Sequence, residues 1–203
     1  MKQLSPDQLA FLIKHNIPEE LVFDANYSRH VIWQNQMRIE GKLFAFNVLA
    51  CKKGNHELRS RSNHCIQCNS ANIWFEIRHY SQGHIYIAGS KEDKIIKIGF
   101  TDNPNYRLQT LNNSKYGSAS DWVMLFHAKC PNAGELERDL KSELKLYSFN
   151  TEYIHAGDIQ IATELFKCNY QVAKKKLDSI VNKKGYVFLD TPWEYKFKLN
   201  DYE

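Results

Sequence analysis

Apolar residues near the start of the chain recur three and four positions apart, the spacing of one helix face. Leu9, Leu12 and Ile13 follow Ser5-Pro6 and precede Ile17-Pro18, which predicts a helix over 4–15 with a cap and first turn at one end and a stop at the other. Val31, Ile32, Asn35 and Ile39 keep the same period and predict a second helix over 29–40, ended by Gly41. The pattern then shortens. KLFAFNVLA at 42–50 and NIWFEIRHY at 72–80 read as strands, as do His84–Ala88, Ile95–Phe100 and VMLFHAK at 123–129. Helical spacing returns over 133–147 and 160–181, and NSKYGSASDW at 113–122 is a turn-rich loop. No internal repeat or low-complexity segment is present. The aromatic tail GYVFLDTPWEYKFKLNDYE is expected either to pair as a hairpin or to pack over the preceding domain.

Composition narrows the class. The 203 residues, 43% hydrophobic and 25% charged, suit one large or two small globular domains. No apolar run reaches the length of a membrane span and no signal-peptide pattern opens the chain, so a cytoplasmic location and no membrane partner are expected. The net charge of +4 is compatible with nucleic acid without requiring it. Local clusters say more: Lys52, Lys53, Arg59 and Arg61 crowd one loop, and Lys174, Lys175, Lys176, Lys183 and Lys184 crowd another segment. A solvated face is the alternative for each.

The first basic cluster lies inside CKKGNHELRSRSNHCIQC at 51–68, where Cys51 and His56 precede the CxxC pair Cys65 and Cys68. Four nitrogen and sulfur donors in two close pairs are what tetrahedral Zn²⁺ requires, and a short cationic loop with no core of its own gains its stability from the metal. His64 competes with His56, but its adjacency to Cys65 hinders a reach to the same ion. A redox pair lacks its βαβ context, and a disulfide disagrees with a reducing compartment. Cys130 and Cys168 sit in apolar patterns and read as small core residues.

The two runs around residue 90 each carry one polar side chain, Tyr86 and Lys97, and Arg107 follows ten residues after Lys97. A hydroxyl, an amine and a guanidinium from one compact unit suit a phosphodiester: activation of a water, and bidentate grip on a phosphate. The tripeptides His84-Ile85-Tyr86 and Lys97-Ile98-Gly99, with the continuation to Arg107 and Leu111-Asn112, resemble the GIY-YIG nuclease superfamily, in its phage and bacterial branch where lysine replaces the second tyrosine. The resemblance spans residues 83–177, and His84 departs from it by standing where the family name has glycine.

Phosphodiester hydrolysis of this kind needs a carboxylate for a divalent ion. Of Glu135, Glu137, Asp139 and Glu143, only Glu137 borders the apolar stripe, about 20° from Leu144 and about 60° from Leu140 around the helix, whereas Glu135 falls opposite Leu144. The resemblance also places the metal-binding glutamate on the helix after the third strand. The alternative for Glu137 is a surface pair with Lys141. Glu164, read at the start of the last helix, and Glu152 are the other candidates.

These readings combine into an α/β (α+β) protein. A helical, zinc-bound module at 1–80 precedes a GIY-YIG-like domain at 81–181, a small, mostly antiparallel three-stranded sheet flanked by helices, and then a tail at 182–203. The expected function is a metal-dependent DNA endonuclease. Tyr86, Lys97, Arg107 and Glu137 are catalytic, with Mg²⁺ or Mn²⁺ on Glu137, structural Zn²⁺ on Cys51, His56, Cys65 and Cys68, and Lys52, Lys53, Arg59 and Arg61 on the DNA backbone. The resemblance implies 5′-phosphate and 3′-hydroxyl products. A non-catalytic zinc-dependent nucleic-acid-binding protein and an RNA nuclease are the alternatives.

Overall fold

A computed structural model describes residues 3–196, which divide into two compact units, one up to His79 and one from Tyr80. The first unit starts with helix α1 (Pro6–Lys14), where Ser5 and Gln8 form a reciprocal capping box. Strand β1 (Val22–Asp24) pairs in parallel with β2 (Phe44–Phe46), and β3 (Arg59–Ser60) pairs antiparallel with β2. Helix α2 (His30–Ile39) buries Trp33 and Met37, one turn apart, against Phe23, Ala25, Ala45 and Val48. The strand expected over 42–50 is thus only three residues long. Asn47, at positive φ, turns the chain out of the sheet toward Cys51.

The segment 72–80 corrects the sequence reading. It is helix α3 (Ala71–Tyr80), not a strand. Its Ile, Trp and Phe have high β propensity, but the buried positions, Ile73, Glu76, His79 and Tyr80, recur at helical spacing, and the side chain of Asn69 accepts the N–H of Ala71. Packing and capping override propensity here.

In the second unit a six-stranded antiparallel sheet runs in the order β7 (Ser148–His155), β8 (Asp158–Phe166), β5 (Ile95–Thr101), β4 (Gly83–Ser90), β6 (Val123–Cys130), β9 (Trp193–Glu194). The centre is β4, flanked by β5 and β6. These are the three strands expected from sequence. The other three were not foreseen. Residues 148–166 form a hairpin, β7 and β8, around Ala156 and Gly157. Both turn residues have positive φ, as the tight hairpin turn matching strand twist requires. The helix expected over 160–181 therefore begins only at Tyr170, as α6 (Tyr170–Lys184), capped by Asn169 and stopped by Gly185 in the left-handed region. Part of the aromatic tail forms β9 on β6, while residues 197–203 lie outside the described range.

Each face of this sheet has its own core. Ile85, Ile87, Ile96 and Ile98 pack with Leu136, Leu140, Ala173 and Leu177 of α5 (Ala133–Glu143) and α6. On the other face Tyr86 and Ala88 pack with Leu111 of α4 (Pro104–Asn113), Trp122 and Leu165. Strand alternation decides which residue enters which core. No helix among the described residues is long and apolar enough to cross a membrane.

Candidate functional site

In the first unit Cys51 leaves the β2 loop, His56 follows a tight turn, and Cys65 and Cys68 sit between β3 and α3. Their ligand atoms all lie within 4.8 Å of one another. Cys51 Sγ is 3.5 Å from Cys68 Sγ, and His56 Nδ1 is 3.4, 3.7 and 3.9 Å from the sulfurs of Cys68, Cys65 and Cys51. The edges of a tetrahedron with Zn–S and Zn–N bonds of ordinary length are about 3.4–3.8 Å. His56 belongs to this set, and His64 does not. Gly54 permits the turn, since a Cβ there would collide with the His56 ring. The backbone N–H of His56 draws Cys51 down to about 6, while the neighbouring Cys51 sulfur pushes Cys68 up to about 11. Three thiols this close cannot all deprotonate without a cation among them. These four residues could hold a structural zinc.

The basic residues of this loop separate. Lys52 and Lys53 are exposed. Arg59 is half-buried and donates to the Leu49 carbonyl at 3.1 Å. Arg61 is only 2% exposed, so its expected contact with a DNA backbone is corrected: its charge acts on buried Glu76, whose carboxyl, pushed up by burial, accepts from the backbone and hydroxyl of Ser62. In the second basic cluster three lysines are paired, Lys174 with Asp178, Lys176 with Glu143 and Lys184 with Asp139, while Lys175 and Lys183 are exposed.

In the second unit β4 and β5 set Tyr86 directly opposite Gly99 and Ala88 opposite Lys97, so Tyr86 and Lys97 share one sheet face. Both are completely buried. Gly99 has a physical task, because a Cβ there would overlap the Tyr86 ring and hydroxyl. Gly99→Ala is expected to cost about 1–3 kcal/mol by overpacking and to displace the hydroxyl, lowering activity more than it lowers thermal stability. Denaturant melts beside cleavage rates check this.

Asn103 caps α4 and Pro104 opens it, which turns Arg107 onto the same face. Arg107 Nε donates to Tyr86 Oη at 3.0 Å. The Tyr86 proton is thus free to point elsewhere, and the terminal guanidinium nitrogens remain the pair that matches two phosphate oxygens. Burial pushes the Tyr86 hydroxyl up to about 12, against the opposing pull of Arg107. Burial also lowers Lys97 to about 8, although its ammonium pairs with Glu164 and lies 4.4 Å above the Tyr116 ring.

The carboxylates complete the group. Glu137 on α5 is largely buried, its carboxyl raised by burial, and its Oε1 lies 2.8 Å from Lys141 Nζ. Sequence reasoning treated it as the single misplaced acid of that helix. Glu135 is buried as well, at the first turn, 3.5 Å from Arg138. Glu164 lies on β8, not at the start of a helix, at an irregularity where the β7 register shifts. There it meets both Lys97 and Lys141. Burial alone would raise the Glu164 carboxyl, but the two ammonium groups outweigh it and hold it at about 2. Lys141, Tyr116 and the bridging position of Glu164 were missed from sequence. Only the i+4 spacing of Glu137 and Lys141 was available to suggest the first.

Residues 83–183 match the family model of the T5orf172 domain, a GIY-YIG-related nuclease-like domain. No curated protein and no solved structure matches the chain.

Proposed function

We propose that this protein, whose residues 83–183 match the T5orf172 domain, is a divalent-metal-dependent DNA endonuclease whose first unit is held by a structural zinc. The observation that carries the reading is the convergence of Tyr86, Arg107, Lys97 and two carboxylates around the middle of the β4–β5 pair. An ordinary structural core has no use for a buried phenol, lysine and guanidinium pressed together, since desolvating them costs free energy.

A divalent ion fits the residues present. Oxygens of Glu137 and Glu164 already converge on a single cation, the Lys141 ammonium, at 2.8 and 2.5 Å. Glu137 is the proposed ligand. When bound, Mg²⁺ or Mn²⁺ supplies stabilisation of negative charge on the phosphate and on the leaving oxygen. Arg107, fixed through Nε, holds the scissile phosphate with its terminal nitrogens. Tyr86 aims and helps deprotonate the attacking water. Charged Lys97 favours that deprotonation, and Glu164 holds Lys97 in place. A 5′-phosphate and a 3′-hydroxyl are the expected products. Exposed Lys52 and Lys53 remain candidates for phosphate contacts beside the zinc site.

Glu137→Gln tests the assignment. The variant keeps the side-chain shape, removes the ligand charge and lessens repulsion of phosphate. Cleavage is expected to fall at least ~10³-fold, with DNA affinity by fluorescence anisotropy unchanged or improved. Normal cleavage by Glu137→Gln together with loss in Glu164→Gln would move the ion to β8.

A further inference from the structure

Lys141 has no role in the reading above, yet it bridges two carboxylates of the site. It reaches Glu137 Oε1 one helical turn before it and Glu164 Oε1 on a different element. Lys97 takes the other oxygen of Glu164. The four groups therefore alternate in sign, Glu137, Lys141, Glu164, Lys97, and their formal charges cancel.

An ordinary i,i+4 surface pair does not explain this arrangement, and the same protein supplies the comparison. Lys174 and Asp178 form such a pair at 2.7 Å on α6, with one carboxylate that is 50% exposed. Glu137 is 14% exposed and Lys141 24%, and Lys141 is drawn to a second carboxylate outside its own helix. A lysine with access to water has little to gain from ordering its side chain between two acids unless the acids are held together for another reason.

We propose that Lys141 is a built-in competitor for the divalent ion: its ammonium and the ion claim the same oxygens of Glu137 and Glu164, so the ion binds only as Lys141 releases them. The inference rests on the functional reading that places the ion at Glu137. It follows from charge and reach. A monovalent ammonium balances the two acids alongside Lys97, whereas a divalent ion added beside an unmoved Lys141 leaves uncompensated positive charge in a largely desolvated group. The four-carbon stem of lysine permits withdrawal without moving α5, and an incoming phosphodiester offers the released ammonium a new partner. Lys141 is a positioning residue on this account. It keeps the two carboxylates together without the ion and restrains ion binding until substrate arrives.

The test is Mn²⁺ affinity of the full, zinc-loaded chain without nucleic acid, read by electron paramagnetic resonance. Wild type is compared with Lys141→Met, Lys141→Gln, Lys141→Arg and Glu137→Gln. Lys141→Met and Lys141→Gln, checked for fold by circular dichroism, are expected to bind Mn²⁺ about tenfold more tightly, the scale of one partly buried ion pair removed from competition. Lys141→Arg, which keeps the charge, is expected to stay near wild type, and Glu137→Gln to lose the site. Unchanged or weaker binding in both neutral variants, with binding lost in Glu137→Gln, overturns the competitor role and leaves the metal assignment standing. Unchanged binding in Glu137→Gln overturns the metal assignment, and the competitor role with it.

Discussion

Tyr86→Phe is expected to lower the single-turnover cleavage rate by about 10²–10⁴-fold while the protein remains folded and binds DNA. The ring is completely buried between Gly99 and the α4 face, so removing one oxygen leaves its packing intact. What is lost is the hydroxyl that accepts from Arg107 Nε at 3.0 Å. Burial holds this hydroxyl near 12, so it is a phenol at neutral pH; to take a proton from water it must first release its own to solvent, a loss that the positive charges of Arg107 and Lys97 favour. Lys97, lowered to about 8 by burial, loses its charge above that pH. The wild-type rate is therefore expected to rise with pH and stop rising near 8, with no such break in Lys97→Met. Single-turnover kinetics across pH measure both effects.

Loss of the zinc set is expected to be as severe, but for stability. Cys65→Ser removes one of four donors that lie within 4.8 Å of one another, and with it a sulfur ligand that a tetrahedral zinc needs. The first unit buries Trp33, Met37 and Val48 together, and Leu12, Phe44, Leu58 and Ile73 besides, but it also buries Arg61 and Glu76, which offsets part of that gain. Structural zinc typically contributes ~10–16 kcal/mol of apparent binding free energy, which is folding free energy for such a unit. Elemental analysis should give about one zinc per wild-type chain and close to none in the variant. Limited proteolysis should then digest residues up to His79 and spare those from Tyr80. A variant without zinc whose first unit resists protease would contradict the structural role.

What was legible in sequence follows from what fixes each feature. Tyr86, Gly99 and Lys97 lie on two adjacent strands, where period-2 alternation and a short turn determine which side chains share a face. The Cys and His spacing is constrained by a coordination sphere in the same local way. The segments misread over 72–80 and 148–166 depend on tertiary packing. Ile73, Glu76 and Tyr80 reveal their helix only by burial, and Ile161 and Cys168, seven residues apart, imitate helical spacing although the Ala156-Gly157 turn commits Ile161 to a hairpin. Missing that hairpin, and the short strand β9 of the tail, turned a six-stranded sheet into the expected three. It also put Glu164 on the wrong element. A carboxylate brought to Lys97 by a register shift in β8 leaves no trace in local pattern, and neither does the reach of Lys141 toward it.

The most direct measurement of the central claim is incubation of purified, zinc-loaded protein with supercoiled plasmid and either Mg²⁺ or Mn²⁺, beside Arg107→Ala. The account predicts metal-dependent nicking that chelation of the added ion stops, with ends carrying a 5′-phosphate. In Arg107→Ala the rate should fall by ~10²-fold or more because the phosphate loses its charge-assisted clamp. Folded, DNA-binding protein that nicks neither plain, modified nor branched DNA with either ion would contradict it. The buried group around Tyr86 would then belong to a nucleic-acid-binding protein without catalysis, or to a nuclease for RNA if RNA alone is cut.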